Sequence, residues 1–253
     1  MIKSLSAIPT LTCALAMAAC GSSHKNSATV VTARAHDHAG AIPGSGNRSR
    51  HEASAPGIPV TSKILLAAAE PFEALTETAF SADKAERAKA IELASNALGG
   101  IQSVVPQYVA RKLDRNMAAI VAAELANHPA DIALASIENY RALVSAVPGT
   151  PVVPVDVNLL DYAGFRFEAD AQATPTRWDD MARGLNFARQ RWSGIVSNVA
   201  VIKVAPRFEA ALNAMDKAVQ EKNLPRARAA AKRELDLVDV LEAAFKRGGH
   251  VKA

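Results

Sequence analysis

Helical periodicity is the property of this chain that most limits its fold. Trp178, Met181, Leu185, Ala188, Trp192, Ile195, Val199 and Ile202 follow one another in steps of three and four. Such steps place all eight on one stripe of an α-helix, and a helix over 176–202 is predicted. A half-buried strand needs apolar residues in alternation with polar ones, and no run of useful length does that. Further stripes carry the same period: Leu65, Ala68, Phe72, Leu75, Ala79; Ile137, Tyr140, Val144, Val147; Leu235, Val238, Leu241, Phe245. The expected fold class is therefore all-α, an antiparallel helical bundle.

The breaks between stripes are legible as well. Ser81, ahead of Ala82-Asp83-Lys84, reads as an N-cap followed by an acidic first turn. Pro106, Pro129, Pro206 and Pro225 each suit a helix start, where a missing N–H does little harm. Pro71 falls within a helical stripe and is expected to kink it. Pro148, Gly149, Pro151 and Pro154 form the clearest internal linker, residues 148–154.

That linker separates two stretches, 60–147 and 155–249, that resemble each other. Leu65, Ala68, Phe72 and Glu73 match Leu160, Ala163, Phe167 and Glu168 at an offset of 95. Ala94, Gly100 and Ile101 match Ala188, Gly194 and Ile195 at 94, and Asn127, Pro129 and Glu138 match Asn223, Pro225 and Glu234 at 96. Two similar four-helix halves are expected, each an up-and-down set with short connections.

The first 59 residues have a different character. Lys3 is followed by a charge-free, mostly apolar run from Leu5 to Ala19, broken by Pro9 and closed by small residues. It is too short for a comfortable membrane span and fits a cleaved export signal, residues 1–19. Its end, Met17-Ala18-Ala19-Cys20, resembles the lipobox of bacterial lipoproteins, with Met17 where Leu is usual. The resemblance covers the leader alone. It implies diacylglycerol on the Cys20 thiol, cleavage just before that residue and often a further acyl chain, palmitate being typical. Two or more acyl chains make a stable anchor. The family tends to carry Asp after the cysteine in proteins kept at the inner membrane, and here residue 21 is Gly. The resemblance thus implies an outer-membrane location facing the periplasm. Cys13 would leave with the leader, so the mature chain would hold no disulfide despite an oxidising compartment. Residues 20–59 are rich in Ser, Ala, Gly and His, with few large apolar side chains, and read as a flexible tether.

Charge excludes one class of partner. From residue 60 onward the chain has 24 Lys/Arg against 23 Asp/Glu, so the basic pI does not reflect a basic face for nucleic acid. Redox and metal cofactors find little support. There is no Cys-x-x-Cys-His for haem and no inward Glu-x-x-His pair for a di-iron bundle. His128, at a helix junction, and His250 lie off the core stripes, and Met117, Met181 and Met215 read as packing residues. Glu124 and His128 have the spacing of a helix-end salt bridge. No cofactor is expected. In the tether, His36 and His38 flank Asp37 and suit weak, unselective binding of Zn²⁺, Cu²⁺ or Ni²⁺.

Asp236 and Asp239, one turn apart, could share a cation. Glu234, Asp236, Asp239 and Glu242 with the preceding Arg226, Arg228, Lys232 and Arg233 read more simply as a solvated charged face. Asp179 and Asp180 read as first-turn acids. No nucleophile elbow, Cys/His pairing or phosphate loop is present, so no catalytic residue is assigned. The expected function is a membrane-anchored, non-catalytic helical module of the cell envelope, engaging a protein or peptide partner between its helices. The alternative is a periplasmic accessory protein that binds a metal or small ligand.

Overall fold

The periodic stripes become the buried faces of eight α-helices. The computed structural model describes residues 60–249, and among them the order is α1 (Val60–Thr78), α2 (Lys84–Gly99), α3 (Gln107–Leu125), α4 (Pro129–Ser145), α5 (Val155–Gln172), α6 (Trp178–Ile195), α7 (Ala205–Gln220) and α8 (Leu224–Gly249). The fold is all-α, with no strand among the described residues. The expected leader (1–19) and tether (20–59), with Cys20, His36 and His38, lie outside those residues, as does His250.

Capping chemistry sets several boundaries. Asp83, rather than Ser81, caps α2: its carboxylate accepts from the N–H groups of Ala85 and Glu86, and the Glu86 carboxylate accepts from the Asp83 N–H. This reciprocal box satisfies donors that Ser81, two residues further out, does not reach. Pro106 and Pro154 precede α3 and α5, and Pro129 and Pro206 sit in the first turns of α4 and α7. Helix α6 ends at Ile195, short of the expected 202. Asn198 accepts from the Ala200 N–H and starts a separate 3-10 turn, Val199–Val201. Val199 and Ile202, placed on the stripe by period alone, are consequently 83% and 58% exposed.

The turns α3–α4 and α7–α8 are built alike. Asn127 and Lys222 both have positive φ, 54° and 48°. In each turn the next residue donates back to a carbonyl five positions earlier, His128 to Ala123 and Asn223 to Ala218. That is a Schellman end with a left-handed C′ residue. The two turns align at an offset of 95. The Asn127/Asn223 and Pro129/Pro225 identities at 96 are therefore one residue out of structural register.

Packing follows from the helix order. In α1–α4 each helix packs on the next and α4 returns to α1; in α5–α8 each again packs on the next and α8 returns to α5. Helix α5 also packs on α4 and on α1. One continuous apolar core runs through all eight helices. Helix α5 is its central member, buried nearly all round from Val157 to Ala171. Its approach to α8 depends on Gly164, where a Cβ would lie 2.1 Å from Glu234 Oε2 and 2.7 Å from Leu235 Cδ2. Among the described residues no helix is long and apolar enough to cross a membrane.

Candidate functional site

Because α1 and α8 both lie against α5, a groove is left between them with α5 as its floor. Its larger cavity, about 580 Å³, has apolar walls from Leu66 and Ala69 of α1 and from Pro151, Val152 and Val153 of the α4–α5 connection. Glu70 and Glu73 of α1, Asp161 and Asn158 of α5, Tyr140 of α4, and Asp239, Glu242 and Lys246 of α8 supply its polar groups. A second cavity of about 290 Å³ shares Glu73, Asp161 and Asp239 and adds Glu77, Glu168, Asp236 and Lys232. Helical spacing explains the alignment. Glu70, Glu73 and Glu77 are separated by three and four residues, as are Asp239, Glu242 and Lys246 on α8.

Charge in the groove is strongly one-sided. Its two lysines are committed to neighbours on their own helix, Lys246 Nζ to Glu242 at 2.7 Å and Lys232 Nζ to Asp236 at 2.8 Å. Asp161, only 8% exposed, receives a long hydrogen bond of 3.4 Å from Tyr140 Oη, and no lysine, arginine or histidine pairs with it among the described residues. Burial, then Glu77 and Glu242, push the Glu73 carboxyl up to about 7, with the adjacent Asp161 carboxyl opposing. Burial raises Asp161 well above the usual range, aided by Glu73, Glu242 and Asp239. Glu77 is raised by burial and then by Asp239. Tyr140 is held neutral by its burial and by Asp161.

A contrasting cluster lies where α4 meets α5. Tyr162 Oη donates to Glu138 at 2.6 Å, and Arg166 and Lys112 pair with the same carboxylate. Burial works to raise Glu138, but Tyr162, Lys112 and Arg166 outweigh it and hold the carboxyl low. This is a satisfied structural network, unlike the groove.

Several residues sit elsewhere than their spacing suggested. Glu234 belongs to no solvated face: it is fully buried, and neither carboxyl oxygen has a hydrogen-bond partner. Burial and then Asp161 raise its pKa well above the carboxylate range. Asp236 and Asp239 both line the smaller groove cavity, and Asp236 is held by Lys232. Glu124 and His128 do not pair either. Glu124 forms a buried bridge to Arg87 Nε at 2.8 Å, and exposed His128 lies 3.4 Å from Asp131. Met181 and Met215 are core residues and Met117 packs partly against the core. Asp179 and Asp180 occupy the first turn of α6.

Among the described residues no three of His, Cys, Asp and Glu gather closely enough to hold a metal ion. The His36 and His38 pair, and Cys20, the expected lipid site, fall outside those residues. The groove carboxyls on α1 and α5 were not singled out from sequence. No signal marked Asp161 either: α5 also carries Asp156, Arg166, Glu168 and Asp170, so one more carboxylate reads as an ordinary helix charge until the packing is known. Comparison with family models, with curated proteins and with solved structures found no match, so the reading of the groove rests on its own geometry.

Proposed function

We propose that this chain is a lipid-anchored envelope protein whose helical domain binds a partner protein through the groove between α1 and α8 and performs no chemistry itself. The carrying observation is the convergence of Glu73, Asp161, Asp239 and Glu242, from three helices, on a cavity with apolar walls. Asp161, the buried member, has no cationic partner among the described residues, and a positively charged segment of a partner would relieve the cost of ionising it. The lipobox-like Met17–Cys20 supports the anchor, and residues 20–59 give the domain reach from the outer membrane into the periplasm. The four-helix order repeated on either side of residues 148–154, with its matching turns, supports descent from one duplicated unit.

A second reading, a periplasmic accessory protein for a small ligand, draws on the same cavity, whose volume falls within the usual range for small-molecule sites. Fractionation and recovery test the first reading. Cys20→Ser should release the chain from the membrane fraction or leave it as precursor. The wild type should recover a partner from envelope extracts that Asp161→Asn with Asp239→Asn does not. Unchanged membrane retention would remove the anchor, and recovery indifferent to the groove substitutions would remove the binding face.

A further inference from the structure

Resting on the reading of this groove as a binding face, we infer that it receives an alkylammonium group, the end of a lysine side chain of the partner, at the Glu73–Asp161 pair. Three features carry this. First, Asp161 is more than nine-tenths buried and lines the cavity, yet its one hydrogen bond is the 3.4 Å contact from Tyr140 Oη. A carboxyl held by one long hydrogen bond keeps acceptor capacity that opens on the cavity. Second, that space is not lined by carboxyls alone. Leu66, Val152 and Val153 offer a path for a hydrocarbon stem ahead of the charged end, the amphipathic form of a lysine side chain. Third, the acceptors come from separate helices and are not gathered tightly enough for a metal ion. A compact ammonium with three rotatable donors fits acceptors set in different directions, whereas a guanidinium fork matches a single carboxylate face.

The same geometry couples binding to protons. The charged groups facing Asp161 and Glu73 are carboxyls except for two lysines held on their own helix, Lys246 by Glu242 and Lys232 by Asp236: α1 presents Glu70 and Glu77, α5 Glu168, α8 the buried Glu234 with Asp236, Asp239 and Glu242, and α4 the neutral Tyr140. An ammonium arriving here favours the ionised carboxyls, so its binding releases a proton from Glu73 or Asp161 to solvent.

The test uses the full-length chain in detergent with its carboxyl carbons ¹³C-labelled, titrated with a capped Ala-Lys-Ala peptide and with the same peptide acetylated on its ε-amine. The lysine peptide should move the Glu73 and Asp161 carboxyl resonances at pH 8. The acetylated peptide, equal in stem and lacking charge, should leave them in place. Affinity for the lysine peptide should drop about tenfold or more at pH 5, where the carboxyls are protonated, and by a similar factor in Asp161→Asn. Urea unfolding of Asp161→Asn, unchanged or shifted to higher urea, shows that the variant is folded. Equal response to both peptides, unmoved resonances with the lysine peptide, or a Ca²⁺ titration that moves both resonances more strongly would each overturn the inference. Unmoved resonances beside a partner whose recovery depends on the groove would reject the lysine and keep the binding face. Moved resonances with no such partner would reject the partner protein and leave a free amine as the ligand.

Discussion

Replacement of Glu234 by Met should stabilise the protein, by an amount that grows with pH. The side chain is 0% exposed and both carboxyl oxygens lack partners. An unpartnered neutral polar group in a protein interior costs about 1–3 kcal/mol, and the unbranched thioether of Met fills similar space without that cost. Ionisation adds a pH-dependent part. Burial and Asp161 raise the folded-state pKa well above the ordinary 4.5. Below 4.5 both folded and unfolded chains hold the proton and no such difference exists. Above it the unfolded chain releases the proton while the folded chain keeps it, so wild-type stability falls by about 1.4 kcal/mol per pH unit until the folded pKa is passed. Glu234→Met removes this slope. Its advantage should be about 1–3 kcal/mol at pH 4.5 and should widen through pH 5, 6 and 7. The protonation of Glu73 and Asp170 is common to both proteins and largely cancels in the comparison. Urea unfolding followed by circular dichroism at each pH measures the difference. A gain that stays constant with pH, or a loss of stability at every pH, would refute the account of a neutral, unsatisfied carboxyl in the core.

Three further outcomes follow from packing. Gly164→Ala should cost about 1–3 kcal/mol, because its Cβ meets Glu234 and Leu235 at less than 3.0 Å and α5 must shift from α8; urea midpoints check this. Trp192→Ala should cost about 3–5 kcal/mol, since the indole is 5% exposed and stacks on Phe208 with ring centroids 4.5 Å apart. Trp178→Ala should cost clearly less, the ring being half-buried, and equal losses would contradict the assigned end of the stripe. Arg87→Met alone should cost about 3–5 kcal/mol by leaving Glu124 buried and unpaired, whereas Arg87→Met with Glu124→Val should recover most of it. A double-mutant cycle with no coupling would show that the bridge is not held as described.

The helices were legible because burial writes a period into the chain. Leu65, Ala68, Phe72, Leu75 and Ala79 keep the 3.6 period and all five are buried. Period alone does not say where a helix stops: Val199 and Ile202 continue the count from Ile195, but Asn198 redirects the backbone into a 3-10 turn. Local chemistry also misplaced a cap, since Ser81 and Asp83 are both capable residues and only the Glu86 carboxylate three positions after Asp83 completes the box. The groove was the least legible part. Its carboxyls are far apart in sequence, and each alone looks like an ordinary charge on a helix. Glu234 and Asp239 lie five residues apart in one acidic run. One is sealed between α8 and α5 and the other faces a cavity, a distinction made by the neighbouring helix and not by their own sequence.

The claim that the α1–α8 groove is the binding face has one direct measurement. A photo-crosslinking residue is placed in the full-length chain at Val152, an exposed wall of the groove, and in a second protein at Leu125, which is 80% exposed at the end of α3 and lines neither groove cavity. After irradiation of intact cells, the account predicts a discrete adduct from position 152 that disappears with Asp161→Asn and Asp239→Asn, and none from position 125. An adduct at 125 without one at 152, or one at 152 that persists after both substitutions, would contradict it.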